Sequence, residues 1–152
     1  MKISDCMKRK VISSTPNTTI QAAAQILIQN HIGTLPVVDE ASRLIGLVRM
    51  RDLITLAMPD FVHLVENIDF VHDFGAVENK KPGLAILNMP ISKIMDKPVA
   101  VEESTGLLRA VALLQEHKMN DLPVVDNENR LVGIASYVDI GVALMSNWNM
   151  LF

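Results

Sequence analysis

The chain alternates short apolar runs with amphipathic stretches, and it does so twice. Val11-Ile12 is a brief apolar run closed by the Ser, Thr, Pro and Asn cluster at 13–19. Beyond it Ile20, Ala23, Ala24, Leu27 and Ile28 recur at the spacing of one helix face as far as His31. Leu35 to Val38 is a β-branched run, Asp39 to Arg43 is polar turn material, and Leu44 to Val48 is a second apolar run interrupted by Gly46. That order predicts a hairpin. Helical spacing returns from Asp52 through Leu53, Leu56 and Ala57. The predicted unit is β-α-β-β-α.

The pattern recurs with the same residues. Thr34-Leu-Pro-Val-Val-Asp39 and Asp121-Leu-Pro-Val-Val-Asp126 lie 87 positions apart, counted from Leu35 to Leu122. The same register pairs Arg43-Leu-Ile-Gly46 with Arg130-Leu-Val-Gly133 and Asp52-Leu53 with Asp139-Ile140, without a gap. Upstream it pairs Ile20, Ala23 and Leu27 with Leu107, Ala110 and Leu114. With one residue inserted, Ile3-Ser4-x-x-Met7 matches Ile91-Ser92-x-x-Met95. The second unit has Asn127-Glu-Asn as its turn and Val138 to Met145 as its last helix. A unit this short leaves the apolar faces of its helices and sheet wet, so two units are expected to pack together about a pseudo-twofold axis.

The Leu-Pro-Val-Val-Asp hairpin, followed by Gly, two apolar residues and Ser136-x-x-Asp139, resembles the CBS (cystathionine-β-synthase) repeat. The resemblance spans nearly the whole chain outside 58–90. It implies an α/β (α+β) fold in which two β-α-β-β-α repeats form one module. The corresponding organisation is repeat 1 at 1–57, an inter-repeat linker at 58–90 that is partly helical, repeat 2 at 91–147 and a tail at 148–152. It also implies a non-catalytic regulatory module that binds an adenine nucleotide or adenosyl ligand, of the AMP, ADP, ATP or S-adenosylmethionine class, in composite clefts between the repeats. The alternative is a ligand-free scaffold or interaction protein.

Ser136-Tyr137-Val138-Asp139 stands at a strand-to-helix junction, where a carboxylate can accept from two ribose hydroxyls and free helix N–H groups suit a phosphate. The resemblance gives Asp139 to ribose and Ser136 to phosphate. It sets the base against Ser4, Arg9, Ile32, Gly33 and Thr34, with Arg9 or Lys10 supplying positive charge. The same Ser-x-x-Asp is also a serviceable capping box, and the sequence leaves both readings open. In the first repeat Arg49-Met-Arg-Asp52 puts a long cation where the hydroxyl stands. Arg49 then has three options: reaching a phosphate, pairing with Asp52, or filling its cleft. The remaining lining of this doubtful second cleft is Ser92, Lys97, Met119, Asn120 and Asp121, the last adding negative charge where the first repeat has Thr34.

Composition narrows the rest. The 152 residues are 49% apolar but only 4% aromatic, so the core is aliphatic, and a formal net charge of −3 makes nucleic acid an improbable partner. A single cysteine, Cys6, cannot form an internal disulfide and fits a reducing, cytoplasmic setting. No window resembles a signal peptide or a membrane span, so no membrane contact is expected. His31, His63, His72 and His117 have no metal-ligand spacing, and no phosphate-binding glycine loop or nucleophile elbow is present, so neither cofactor, metal nor catalysis is expected. Residues 58–83 hold three of the four Phe, with Phe61, Leu64, Val65 and Ile68 at helical spacing. They either cover the module's own core or dock a target protein. Homodimers are expected, with Trp148, Leu151 and Phe152 available for the contact.

Overall fold

A computed structural model describes residues 1–58 and 81–148. The helix and docking role expected of 58–83 therefore fall almost wholly outside the described residues, as do Leu151 and Phe152. Each unit opens with a short 3-10 turn, Ile3–Asp5 in the first and Ile91–Lys93 in the second. The first continues with α1 (Ile20–Asn30), β1 (Thr34–Val38), β2 (Leu44–Arg49) and α2 (Met50–Ala57). A single helical turn, α3 (Leu84–Leu87), precedes the second unit, which contains β3 (Val101–Glu102), α4 (Leu107–Glu116), β4 (Asp121–Val125), β5 (Leu131–Ser136) and α5 (Tyr137–Met145).

The repeated hairpin explains itself residue by residue. Leu35 and Val37 are buried, as are Leu122 and Val124, each hairpin pairs antiparallel, and both carry a register shift at the corresponding place. The terminal Asp makes the turn. Asp39 accepts from the backbone N–H of Ala41 and Arg43 and from Arg43 Nε, and Asp126 does the same for Glu128 and Arg130. These bonds, chiefly that from the backbone of the arginine, hold both carboxyls below their ordinary range. Ser42 and Asn129 close the turns in the left-handed region at φ 63°. Pro36 accepts from Ser14 N–H on the side away from β2, so its nitrogen, which has no hydrogen to donate, faces the loosely paired edge.

That edge departs from expectation in the first unit. Val11-Ile12 forms no strand, and the leading strand is reduced to one parallel bridge between Ser14 and Val37. Pro16 follows two residues later and Thr18 N–H donates back to Thr15 O, so the chain turns away before a second rung forms. The second unit, with Val101-Glu102 at this place, keeps a two-residue parallel strand on β4.

The two units are joined by reciprocal exchange. Leu44 N–H donates to Asn129 O and Leu131 N–H donates to Ser42 O, the two halves of one symmetric contact. Lys8 exchanges both backbone bonds with Ile134 of β5, and Asp96 exchanges both with Leu47 of β2. Ile3 is accordingly buried in the core of the second unit beside Leu107, Ala110, Leu114 and Ile140, while Ile91 is buried in the core of the first beside Ile20, Ala23, Leu27 and Val48. The crossing segments need room: a Cβ on Gly46 would stand 2.5 Å from Met95 Sδ, and one on Gly133 would stand 2.8 Å from Met7 Sδ. Both interrupting glycines are thus sites of close approach.

Because each core is completed by the other unit's leading isoleucine, Ile3→Ala should destabilise the whole module. The expected loss is about 2–5 kcal/mol, in one urea transition rather than two. Two separated transitions, or a loss confined to one unit, would contradict the exchange.

Candidate functional site

The exchange builds two related clefts. The first has a volume of about 320 Å³ and collects Lys8 and Lys10 from the crossing segment, Ile32, Gly33 and Thr34 from the start of β1, and Ile134, Ser136 and Asp139 from the end of β5 and first turn of α5. Val11, Ile12, His31 and Asp121 complete the lining. One part of the wall is therefore aliphatic, from Val11, Ile12, Ile32 and Ile134, and another is charged and hydrogen-bonding.

The junction residues are held by a complete capping box. Ser136 Oγ accepts from Asp139 N–H at 2.9 Å, and Asp139 Oδ2 accepts from Ser136 N–H at 3.0 Å. This does not exhaust either side chain. The Ser136 hydroxyl keeps its hydrogen to donate, and Asp139 Oδ1 lies 3.7 Å from Lys8 Nζ. Capping and ligand contact are therefore compatible at these two residues.

Five of the seven residues expected in this cleft line it: Ser136, Asp139, Ile32, Gly33 and Thr34. Ser4 and Arg9 do not. Ser4 sits on the first 3-10 turn and donates its N–H to Glu103 O, and Arg9 turns outward to pair with Glu103 at 2.7 Å. The chain bends at Arg9, which points out toward Glu103, while Lys8 and Lys10 on either side line the cavity. The alternative cation Lys10 is thus on the wall, and Lys8 joins it. Asp121, assigned by the sequence to the second cleft, lines the first, where it accepts from Thr34 Oγ1 at 2.9 Å. Thr34 and Asp121 are register equivalents, so this bond joins two corresponding positions, one from each unit.

The second cleft is smaller, about 210 Å³, with Leu47, Arg49, Asp96, Lys97, Val99, His117 and Met119 around it. Leu47 and Arg49 occupy the places of Ile134 and Ser136, and Asp96 takes the place of Lys8. Arg49 bonds Asp52 at 3.4 Å and Asp96 at 3.1 Å, spanning the two acids. Of the three options open to Arg49, pairing with Asp52 is the one the structure displays, with Asp96 as a second partner. Desolvation pushes the Asp96 carboxyl up, neighbouring Asp52 adds to this, and Arg49 opposes it. Asp52 also accepts from Arg49 N–H at the start of α2. Asn120 lies instead in a groove with Arg51, Lys118 and Tyr137, and Ser92 is exposed, its N–H donated to Pro16 O.

Among the described residues no group of three or more His, Cys, Asp and Glu side chains is placed to hold a metal ion, and no helix is long and apolar enough to cross a membrane. Cys6 is half-buried, and burial, with Asp139 and Asp5 nearby, pushes its thiol up, so it is not an activated thiolate.

The CBS domain family matches residues 3–58 and 91–146, and the chain belongs to that family. It is a tandem CBS pair. The CBS domain-containing protein YhcV of Bacillus subtilis is 30% identical over 146 residues, covering 95% of this chain and 86% of that protein. The chloroplastic CBS domain-containing protein CBSX1 of Arabidopsis thaliana is 35% identical over 128 residues, and the matched region covers 78% of this chain but only 52% of CBSX1, about half its length. Among solved structures, CBSX2 of the same plant in complex with AMP matches with a TM-score of 0.71 at 26% identity, over 95% of this chain and 96% of that one.

Asp121 gives the site a testable signature. Removal from water raises its carboxyl above the ordinary range; Thr34 opposes this, Asp139 adds to it and Lys8 opposes it. The folded protein therefore keeps this proton to higher pH than the unfolded chain. The stability involved is complete below the ordinary carboxylate value near 4 and is lost as pH rises through the raised one. Asp121→Asn, which retains an acceptor for Thr34, should melt above the parent at pH 7, with the gap closing as pH falls toward 4. A gap independent of pH would exclude the burial argument.

Proposed function

We propose that this tandem CBS pair is a regulatory, non-catalytic sensor that binds an adenine nucleotide or related adenosyl ligand in the first cleft. The observation that carries the reading is the geometry around Asp139: one carboxylate oxygen fastens α5 and the other faces Lys8 at the mouth of a cavity of about 320 Å³. That volume stands at the lower end of the range of small-molecule pockets. The AMP complex of CBSX2 supports the ligand class. In this reading Asp139 accepts from the ribose, the Ser136 hydroxyl meets a phosphate with Lys8 and Lys10, and the base lies on Ile12, Ile32 and Ile134. The second cleft, where Arg49 is held between Asp52 and Asp96, is not the ligand site in this reading. Residues 1–57 and 91–147 act as the two repeats, and a cytoplasmic setting suits the one free cysteine.

The capping box favours one rival, a scaffold in which Ser136 and Asp139 only start a helix. Thermal melts with AMP, ADP, ATP and S-adenosylmethionine separate the two. A ligand at a hundred times its Kd adds about 2.7 kcal/mol. Asp139→Asn should abolish that gain while Asp52→Asn leaves it intact. No gain with any of the four, or equal losses in both variants, would hand the case to the scaffold.

The homodimer is part of the same proposal. Val138, Val142 and Met145 follow one another at i, i+4 and i+7 along α5, with Trp148 just beyond, and they are 70%, 58%, 42% and 64% exposed. A second copy packing on this stripe would bury it about a twofold axis. Sedimentation should report a dimer that Val142→Glu converts to monomer; a monomeric parent protein would refute the assignment.

A further inference from the structure

We infer that Asp121 sets the charge of the ligand admitted to the first cleft, favouring an adenosyl ligand with no more than one phosphate over a polyphosphate; this rests on the proposed ligand class. Four ionisable side chains of fixed sign face the cavity, and they cancel: the ammoniums of Lys8 and Lys10 against the carboxylates of Asp121 and Asp139. Neither carboxylate is free to swing away. Asp139 is tied to Ser136 N–H, and Asp121 is tied to Thr34, which is itself only 5% exposed. Lys8 is already shared with Asp139 at 3.7 Å, whereas Lys10 has no ion-pair partner among the described residues.

The positive charge left for a ligand is thus chiefly Lys10, since at the start of α5 the N–H groups of Tyr137 and Asp139 are already given to Asn120 O and Ser136 Oγ. One phosphate monoester brings about −1.5 to −2 charges and already meets that supply. Each further phosphate adds about one more negative charge to a half-buried wall that holds a fixed carboxylate. The register shows how particular this is to one position. At 34 the equivalent residue is a neutral threonine, and only at 121 does the chain place an acid at the start of the hairpin.

Isothermal titration of the full chain with AMP and with ATP, in the parent and in Asp121→Asn and Asp121→Thr, tests this. The parent should bind AMP at least tenfold more tightly than ATP. Both variants should tighten ATP by roughly tenfold, the order expected for removing one like charge about 10 Å away at an effective dielectric near 20. AMP should change by less, and added salt should narrow the parent's preference. Equal affinities in the parent, or a variant that moves both nucleotides alike, would overturn the role of Asp121 while leaving the nucleotide site standing. Binding of neither nucleotide by any of the three proteins would instead remove the ligand class, and this inference with it.

Discussion

The structure depends on a trade. Each unit sends its first residues across to the other, where a two-bond backbone bridge, Lys8 with Ile134 or Asp96 with Leu47, lays the crossing segment along the second hairpin strand. The isoleucine at the head of each segment then closes the other unit's core. Neither apolar cluster is whole without the exchange, which is why two units of such modest size hold together as one aliphatic interior. The glycines at 46 and 133 exist where the crossing methionines press against the strand.

The exchange also makes the clefts composite and lets them diverge. Related positions carry opposite chemistry: Ser136 against Arg49, and Lys8 against Asp96. On one side the result is an open cavity with a hydroxyl, two ammoniums and two acids. On the other it is a guanidinium clasped between Asp52 and Asp96. The two members of a symmetric pair thus differ in chemistry as well as in volume, about 320 against 210 Å³.

Much of this was legible in the residues themselves. The 87-residue offset, the helical spacing of Ile20, Ala23 and Leu27, and the Leu-Pro-Val-Val-Asp turns are local signals, and local signals fixed the elements and their faces. Ser136 and Asp139 could be found because a strand-to-helix junction is visible in a single stretch of chain. What escaped was non-local. Lys8 and Asp121 enter the first cleft only because of which strand the crossing segment leans on and which face the two hairpins share. Arg9 and Lys10 are the cations the residues suggest; the bend at Arg9, which turns it out to Glu103 and leaves Lys8 and Lys10 on the wall, is a matter of tertiary contact. The strand expected at Val11-Ile12 is absent because that stretch lies on the wall of the first cleft, and pairing with β1 begins only at Ser14.

Asp139 serves two masters with its two oxygens. One is fastened to the amide that begins α5, and the other looks into the cavity toward Lys8. Whatever draws on the second oxygen redistributes charge on the group that anchors the first. The helix bearing the exposed Val138, Val142 and Met145 therefore starts on the wall of the first cleft. A single carboxylate thus belongs both to the lining of a cavity and to the seam where a helix begins, and the molecule's outer rim is one helix away.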